Sequence, residues 1–357
     1  MISQSQSDNL QRKEPVTGRP AVSILIVNFN GEKLLRGCLD SLSLVKEPSF
    51  EVVVVDNASQ DKSLEILREY RHVKIIESKT NRGFAGGNNL GLPQCVGDYI
   101  LLLNSDTIVR PDFLRPLCEY LNQRREVGIV QAKMFLPNRE GRLDNCGSFL
   151  TRFGFMYHRG FLKHDAAIYN AAGPIFSAKG ACMMFRREVV EAAGGYLFDD
   201  DFFCYYEETD FCHRAWLAGY ESHFVPGSII DHLMGATSEK SQHRDFVMSH
   251  FLENQMFSLL ANLEAGSAFR IMPFYFALFF ASLGAALVTG KSSLARAHLK
   301  ALAANCRHFS KLRRQRSAIR RLRKVRDREL FTKIMRNPGW DYFLKTFRGR
   351  IQDYQDD

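Results

Sequence analysis

The chain has 357 residues, 45% hydrophobic and 24% charged, a balance that excludes disordered, collagen-like and fibrous chains. A net charge of +9 admits nucleic acid, an anionic membrane or an anionic small molecule as partner, so the placement of charge tells more than its sum. At this length one large α/β domain followed by a smaller and different C-terminal region is expected.

Residues 1–20 are polar, lack the apolar run of a cleaved secretion signal and read as a disordered lead-in. Val22-Ser-Ile-Leu-Ile-Val27 is a short β-rich apolar run of the kind that forms a buried parallel strand, and a helical stretch follows over Glu32 to Leu44. Further strands are predicted at Glu51 to Val55, Val73 to Glu77 and Tyr99 to Leu103, with a helix from Ser63 to Tyr70 between the first two. This alternation implies right-handed crossovers and a mostly parallel, Rossmann-like sheet flanked by helices. Ligands bind beyond the carboxyl ends of such strands. Here those ends carry Asn28-Phe-Asn30, Asp56-Asn-Ala-Ser59 and Asn104-Ser-Asp106.

From Glu126 to Asp231 the pattern loosens into shorter strands, Gly-rich turns and aromatics. Residues 271–290 are an apolar stretch long enough to cross a bilayer, bracketed by Arg270 and Lys291. Residues 307–328 are strongly basic, whereas the region from Asp199 to Asp210 is acidic. The eight cysteines are scattered without a CxxC pair, which reads as buried, reduced thiols in a cytosolic setting.

Four groups of residues suggest chemistry. Asp106 closes a buried strand and is thereby pinned, as a hard cation bridging two phosphates requires; the same residue type also caps helices. Glu207, Glu208 and Asp210 lie among aromatics, where crowding and desolvation push a carboxyl pKa toward that of a general base; acids also favour the first turn of a helix. Asn81-Arg-Gly-Phe-Ala-Gly-Gly-Asn-Asn89 is a Gly-rich loop before a short helix, with backbone N–H groups for phosphates, although it is no Walker loop. His232, just past an apolar run, is either a core histidine or a second metal ligand beside Asp106.

Together, Val22 to Asn30, Val53 to Ser59, Asn81 to Asn88, Gly97 to Asp106, Lys179 to Arg186 and Phe203 to Arg214 resemble the family 2 inverting glycosyltransferases, and within them the bacterial rhamnosyltransferase-like branch. The resemblance implies a GT-A fold with a helical, basic C-terminal region, a divalent cation (Mg or Mn) and a dTDP-, UDP- or GDP-sugar donor. It implies a catalytic domain over 21–245, with a nucleotide-binding half (21–125) and an acceptor half (126–245), followed by a helical region over 246–357. It also implies that Asn28, Asp56, Asn81, Gly83 and Asn104 border the nucleotide and that Asp106 and His232 hold the metal. The base falls on Glu208 with Glu207 beside it and Asp210 completing the motif; the choice between the two glutamates stays open. Asn104 stands where the family has the first acid of its DxD motif, and Glu208 is a glutamate where aspartate is commoner.

The expected reaction moves a sugar, rhamnose or another deoxysugar, onto an acceptor hydroxyl in bacterial cell-surface polysaccharide assembly. The acceptor is then a glycan or a lipid-linked glycan, and the enzyme works in the cytoplasm; the apolar and basic C-terminal segments read equally as docking it peripherally on the inner face of the membrane, with an anionic lipid surface as a further partner, or as a buried helical hairpin with a solvated basic helix. A nucleotidyltransferase of α/β fold would instead carry a basic Gly-rich loop directly after the first strand. A basic, non-enzymatic membrane-binding protein would leave the acidic motifs idle. No nucleic acid is expected as a partner, because the late basic run is nearly free of aromatics.

Overall fold

A computed structural model describes residues 20–233, 241–347, 353, 354 and 356, and the lead-in expected over residues 1–20 lies almost wholly outside them. The first half alternates as its apolar periodicity predicts: β1 (Val22–Asn28), α1 (Leu35–Ser43), β2 (Phe50–Asp56), α2 (Ser63–Glu69), β3 (Val73–Glu77), α3 (Gly83–Gly91) and β4 (Tyr99–Leu103). β5 (Thr107–Val109), α4 (Leu114–Gln123), β6 (Val127–Leu136), β7 (Arg142–Asn145), β8 (Ser148–Leu150), β9 (Met156–His158) and β10 (Gly173–Pro174) follow. Then come β11 (Cys182–Arg186), α5 (Glu188–Ala192), α6 (Glu207–Leu217) and β12 (Glu221–His232).

Hydrogen bonding orders the main sheet β10-β12-β6-β11-β4-β1-β2-β3, with β5 paired to β12 and β7 to β6. It is parallel from β3 through β4, but β11 runs antiparallel to both β4 and β6, so the sheet is mixed where a mostly parallel one was expected. Apart from half-buried Val27, the Val, Ile and Leu of β1, β2 and β4 are buried and pack helices onto each face; each buried side chain contributes about 1.5–3 kcal/mol.

Residues 81–91, read from sequence as a loop before a helix, are for the most part α3 itself. Their glycines serve close packing. A Cβ on Gly87 would stand 2.6 Å from Val27 and one on Gly91 2.3 Å from Leu25, so α3 lies nearly flush on the sheet.

The C-terminal region is α7 (Ser241–Asn262), α8 (Ala265–Val288), α9 (Ser292–Arg307), α10 (Phe309–Leu322), α11 (Asp327–Ile334) and α12 (Trp340–Phe347). A third apolar cluster, built from Trp216, Leu259, Ile271, Tyr275, Phe279, Ala301 and Ile334 among others, fastens α7 through α11 to the end of α6. The apolar segment expected over 271–290 falls mostly within α8, and the basic segment 307–328 within α10 and its flanks. Among the described cysteines none is paired, and all but Cys204 and Cys306 are buried.

Candidate active site

The parallel register aligns the polar strand ends on one rim. Asn28 pairs in register with Asp56, and extending the β1–β4 register past Leu25 and Leu102 brings the Asn104-Ser-Asp106 turn beside Asn28. Asn28 is fully buried, and its amide donates to Ser59 Oγ at 3.2 Å and weakly to Asp56 Oδ1 at 3.5 Å. Asp56 also accepts from the Ser59 N–H at 3.2 Å. Gly31 is required here, because a Cβ would lie 2.1 Å from Asn28 Oδ1.

Asn81 Oδ1 accepts from the Gly83 N–H at 2.9 Å and the Asn57 amide at 3.1 Å, which fixes the start of α3. Gly83 has φ +68°, and its added Cβ would lie 2.2 Å from the Phe203 carbonyl oxygen. Asn28, Asp56 and Asn81 thus line the ends of β1, β2 and the β3–α3 turn, and Gly83 meets the segment that leads into α6.

β5 brings His232 to Asp106. Thr107 and His232 are direct cross-strand partners, and the Leu233 N–H donates to the Asp106 carbonyl at 2.8 Å. His232 Nε2 then stands 3.3 Å from Asp106 Oδ1, an oxygen that is buried without a hydrogen-bond partner. The other ring nitrogen, Nδ1, bonds Asp144 Oδ2 at 2.8 Å, and Lys179 Nζ lies 2.6 and 2.7 Å from the two Asp144 oxygens. Burial opposes charge on both residues. The Lys179 charge and the His232 bond nevertheless hold the Asp144 carboxyl well below its usual range, and the two flanking carboxylates push His232 up to about 8.

An orphaned carboxylate oxygen facing an imidazole nitrogen, with the far nitrogen held by a second carboxylate, suits a divalent cation. Asp106 and His232 fit that group. Among the described residues no three His, Cys, Asp or Glu side chains are arranged to grip a cation unaided.

Lys179 also connects this cluster to the acids of α6. Its backbone N–H is anchored by Gln131 Oε1 at 2.8 Å, and two residues on, the Ala181 carbonyl accepts from the Asn104 N–H at 3.1 Å. Between them Gly180 packs against Glu208, whose Cβ would stand 3.9 Å from a Cβ added to Gly180. The Asn104-Ser-Asp106 turn and Glu208 therefore border one short loop, residues 179–181. Asn104 holds that loop through its backbone and its side chain is half-buried.

Glu207 is buried and Glu208 half-buried, and each has an Oε2 without a hydrogen-bond partner. Burial raises both carboxyl groups. Glu207 is raised further by the charge of Glu208, whereas backbone N–H groups and Lys179 moderate the rise at Glu208.

Asp210, expected in the catalytic cluster, turns the other way. It accepts from Arg214 Nε, Ser258 Oγ and Asn262 Nδ2, each at 2.8 Å, while Arg214 donates to the carbonyls of Ala193, Tyr196 and Leu197. It joins α6 to α7. The segment entering α6 is strained, with Phe203, Tyr205 and Tyr206 at φ +56°, +68° and +76°, and the Asn254 amide on α7 donates to the carbonyls of Phe202, Cys204 and Tyr205.

Sequence reading passed over Asp144 and Lys179 as site residues. Lys179 stood within a quoted motif, but nothing local signals that it meets Asp144, which is 35 positions away.

The sheet order and the rim define the class of the protein: it has the GT-A glycosyltransferase fold. The mannosyltransferase PcManGT of Pyrobaculum calidifontis superposes with a TM-score of 0.53 at 18% identity, over 85% of this chain and 87% of that one. TarS (residues 1–349) of S. aureus superposes with a TM-score of 0.50 at 20% identity, over 73% of this chain and 72% of that one. Residues 23–194 match the model of glycosyl transferase family 2.

Among curated relatives, the low-salt glycan biosynthesis hexosyltransferase Agl10 of Haloferax volcanii is 32% identical over 54% of this chain and 61% of its own length. The O-antigen biosynthesis protein RfbC of Myxococcus xanthus is 31% identical over 53% of this chain and 15% of its own. The chain spans less than two thirds of each of these relatives.

Proposed function

We propose that the chain transfers a sugar from a nucleotide diphosphate to an acceptor hydroxyl with inversion at the anomeric carbon, in polysaccharide biosynthesis. One observation carries this reading: the Asn104-Ser-Asp106 turn and Glu208 flank the same loop, residues 179–181, at the carboxyl rim of the sheet. The nucleotide would lie along Asn28, Asp56, Asn81, Gly83 and Asn104, where strand ends and the start of α3 offer polar groups.

Asp106 and His232 would hold a divalent cation, Mg or Mn, which when bound offsets charge on the diphosphate. Asp144 keeps the His232 ring oriented, and Lys179 neutralises Asp144. Glu208, raised and lacking a partner on one oxygen, takes the proton of the attacking hydroxyl as the new glycosidic bond forms and the bond to the diphosphate breaks. Glu207 stands deeper beside it, its carboxyl raised well above the ordinary range by burial and by the charge of Glu208.

The likeness to relatives in low-salt glycan and O-antigen biosynthesis supports a glycan or lipid-linked glycan acceptor, and the same reading has the enzyme work in the cytoplasm. Solved neighbours bound to UDP with Mn2+ or to GDP-mannose with Mn2+ support a nucleotide donor and cation. A rhamnosyl or other deoxysugar donor remains the reading of the branch resemblance. A donor-hydrolysis screen over dTDP-, UDP- and GDP-sugars with manganese or magnesium tests the proposal. Metal-dependent release of one nucleotide diphosphate is expected, and no release from any donor would overturn it.

A further inference from the structure

α8 is long and apolar enough to cross a bilayer, with a mean hydropathy of 2.0, yet only a third of its most apolar window is buried inside the molecule. The two sides of the helix differ. Ile271, Met272, Tyr275, Phe279 and Ala286 are buried. Tyr275 stacks on Phe155 at 5.1 Å, and Phe279 meets His298 of α9 at 4.6 Å. The outward residues recur at helical spacing: Phe269, Pro273, Phe274, Ala277, Phe280, Ala281, Ala285, Leu287 and Val288 are all exposed. Phe269 is 83% and Val288 89% exposed. A continuous apolar stripe of this length facing water marks an interaction surface.

Charge identifies what covers it. From Ala265 to Arg326 the sequence has fourteen Lys and Arg and no Asp or Glu. Arg270 and Lys291 bracket the stripe, and Lys300 is exposed on the neighbouring α9. At the N-terminal end of α8 a groove of about 1100 Å³ is lined by Arg152, Arg270 and Arg328 together with Phe153, Phe274 and Trp340. Aromatic rings beside guanidinium groups are the side chains that settle at the boundary between lipid headgroups and acyl chains.

We infer that α8 lies in the plane of an anionic bilayer, with Phe269, Phe274, Phe280, Leu287 and Val288 among the acyl chains and the flanking basic side chains on lipid phosphates. A spanning orientation conflicts with the packing, because the face that holds Tyr275 is committed to α9 and the β8–β9 hairpin, which would have to follow it into hydrocarbon. A helix with one face on protein and the other apolar sits at the interface. The inference stands apart from sugar transfer, although docking there would bring a lipid-linked acceptor to the enzyme.

The test is sedimentation of the purified full chain with vesicles of phosphatidylcholine alone and of phosphatidylcholine mixed with phosphatidylglycerol. Binding is expected only to the mixed vesicles, weakening as salt is added, since each basic residue near the surface contributes about 1 kcal/mol that salt screens. Phe280→Glu and Leu287→Glu, both at exposed positions, should each lower vesicle affinity about tenfold or more while leaving melting temperature and vesicle-free donor hydrolysis unchanged. Retention in the supernatant with mixed vesicles, or equal binding by the variants, overturns the inference. So does a concentration-dependent dimer that the same variants dissolve, because a second copy would then cover the stripe. Extraction only by detergent, with α8 shielded from protease on both flanks, would show a spanning helix and equally overturn it.

Discussion

The first turn of α6 carries acids in opposite circumstances. Glu207 and Glu208 each keep an oxygen without a partner, and both carboxyl groups are raised. Asp210, in the same turn, is satisfied on both oxygens by Arg214, Ser258 and Asn262. Burial alone therefore does not separate structure from chemistry in this helix. What separates them is whether burial comes with partners: a partnered carboxylate fixes the fold, whereas an unpartnered one is maintained against its own desolvation and is available to a substrate.

Substitutions should split along that line. Glu208→Gln should lower turnover by about a hundredfold to ten-thousandfold, the usual worth of a positioned base, while leaving melting temperature and nucleotide binding near wild type. In the wild type, activity should fall on the acid side at a pH above the ordinary glutamate range of about 4.3, because the raised carboxyl must lose its proton to act. A pH-rate profile checks this, and an acid limb at or below that range would remove Glu208 from the role.

Asp210→Ala should do the reverse. Stranding the fully buried Arg214 guanidinium should cost about 3–5 kcal/mol of stability, read as a lower denaturation midpoint, with whatever activity survives tracking the folded fraction. Next in size, Asp144→Asn should weaken manganese binding about tenfold to a hundredfold, as loss of an outer carboxylate on a metal histidine does, measurable by titration without any sugar donor. Manganese affinity equal to wild type would show that the link from Asp144 to His232 does not orient a ligand.

The smallest effect has the opposite sign. Glu207 has a carboxyl raised above its unfolded value, so its contribution to stability is full at acid pH and is lost as pH rises through the folded value. Glu207→Gln should therefore raise the melting temperature by a few degrees near neutral pH and give no gain below about pH 4. Differential scanning calorimetry across that range decides it, and a gain at acid pH would contradict the burial argument.

Much of the polar rim could be read from the sequence, because β1, β2 and β4 are mainly apolar runs whose polar ends are fixed by period and register. The first turn of α6 was readable for the same local reason, acids beside aromatics. The rest depended on contacts between distant positions. Asp144 and His232 are 88 residues apart and meet only because β7 and β12 both border β6. Asp210 looked like its neighbours in sequence until α7, some fifty positions on, supplied its partners. The glycines of residues 83–91 suggested a loop cradling phosphate, whereas their want of side chains serves a helix pressed onto Val27 and Leu25.

The most direct test of the central claim is a calorimetric titration of UDP, dTDP and GDP with manganese into wild type, Asp106→Ala and Glu208→Gln, with turnover measured on the same samples. The account predicts that wild type binds one of these nucleotides in a metal-dependent way, that Asp106→Ala loses the metal-dependent part together with about a hundredfold or more of turnover, and that Glu208→Gln keeps binding and loses turnover alone. Binding and turnover that fall together in both variants, or in neither, would contradict the assignment of the two carboxylates to opposite ends of one reaction.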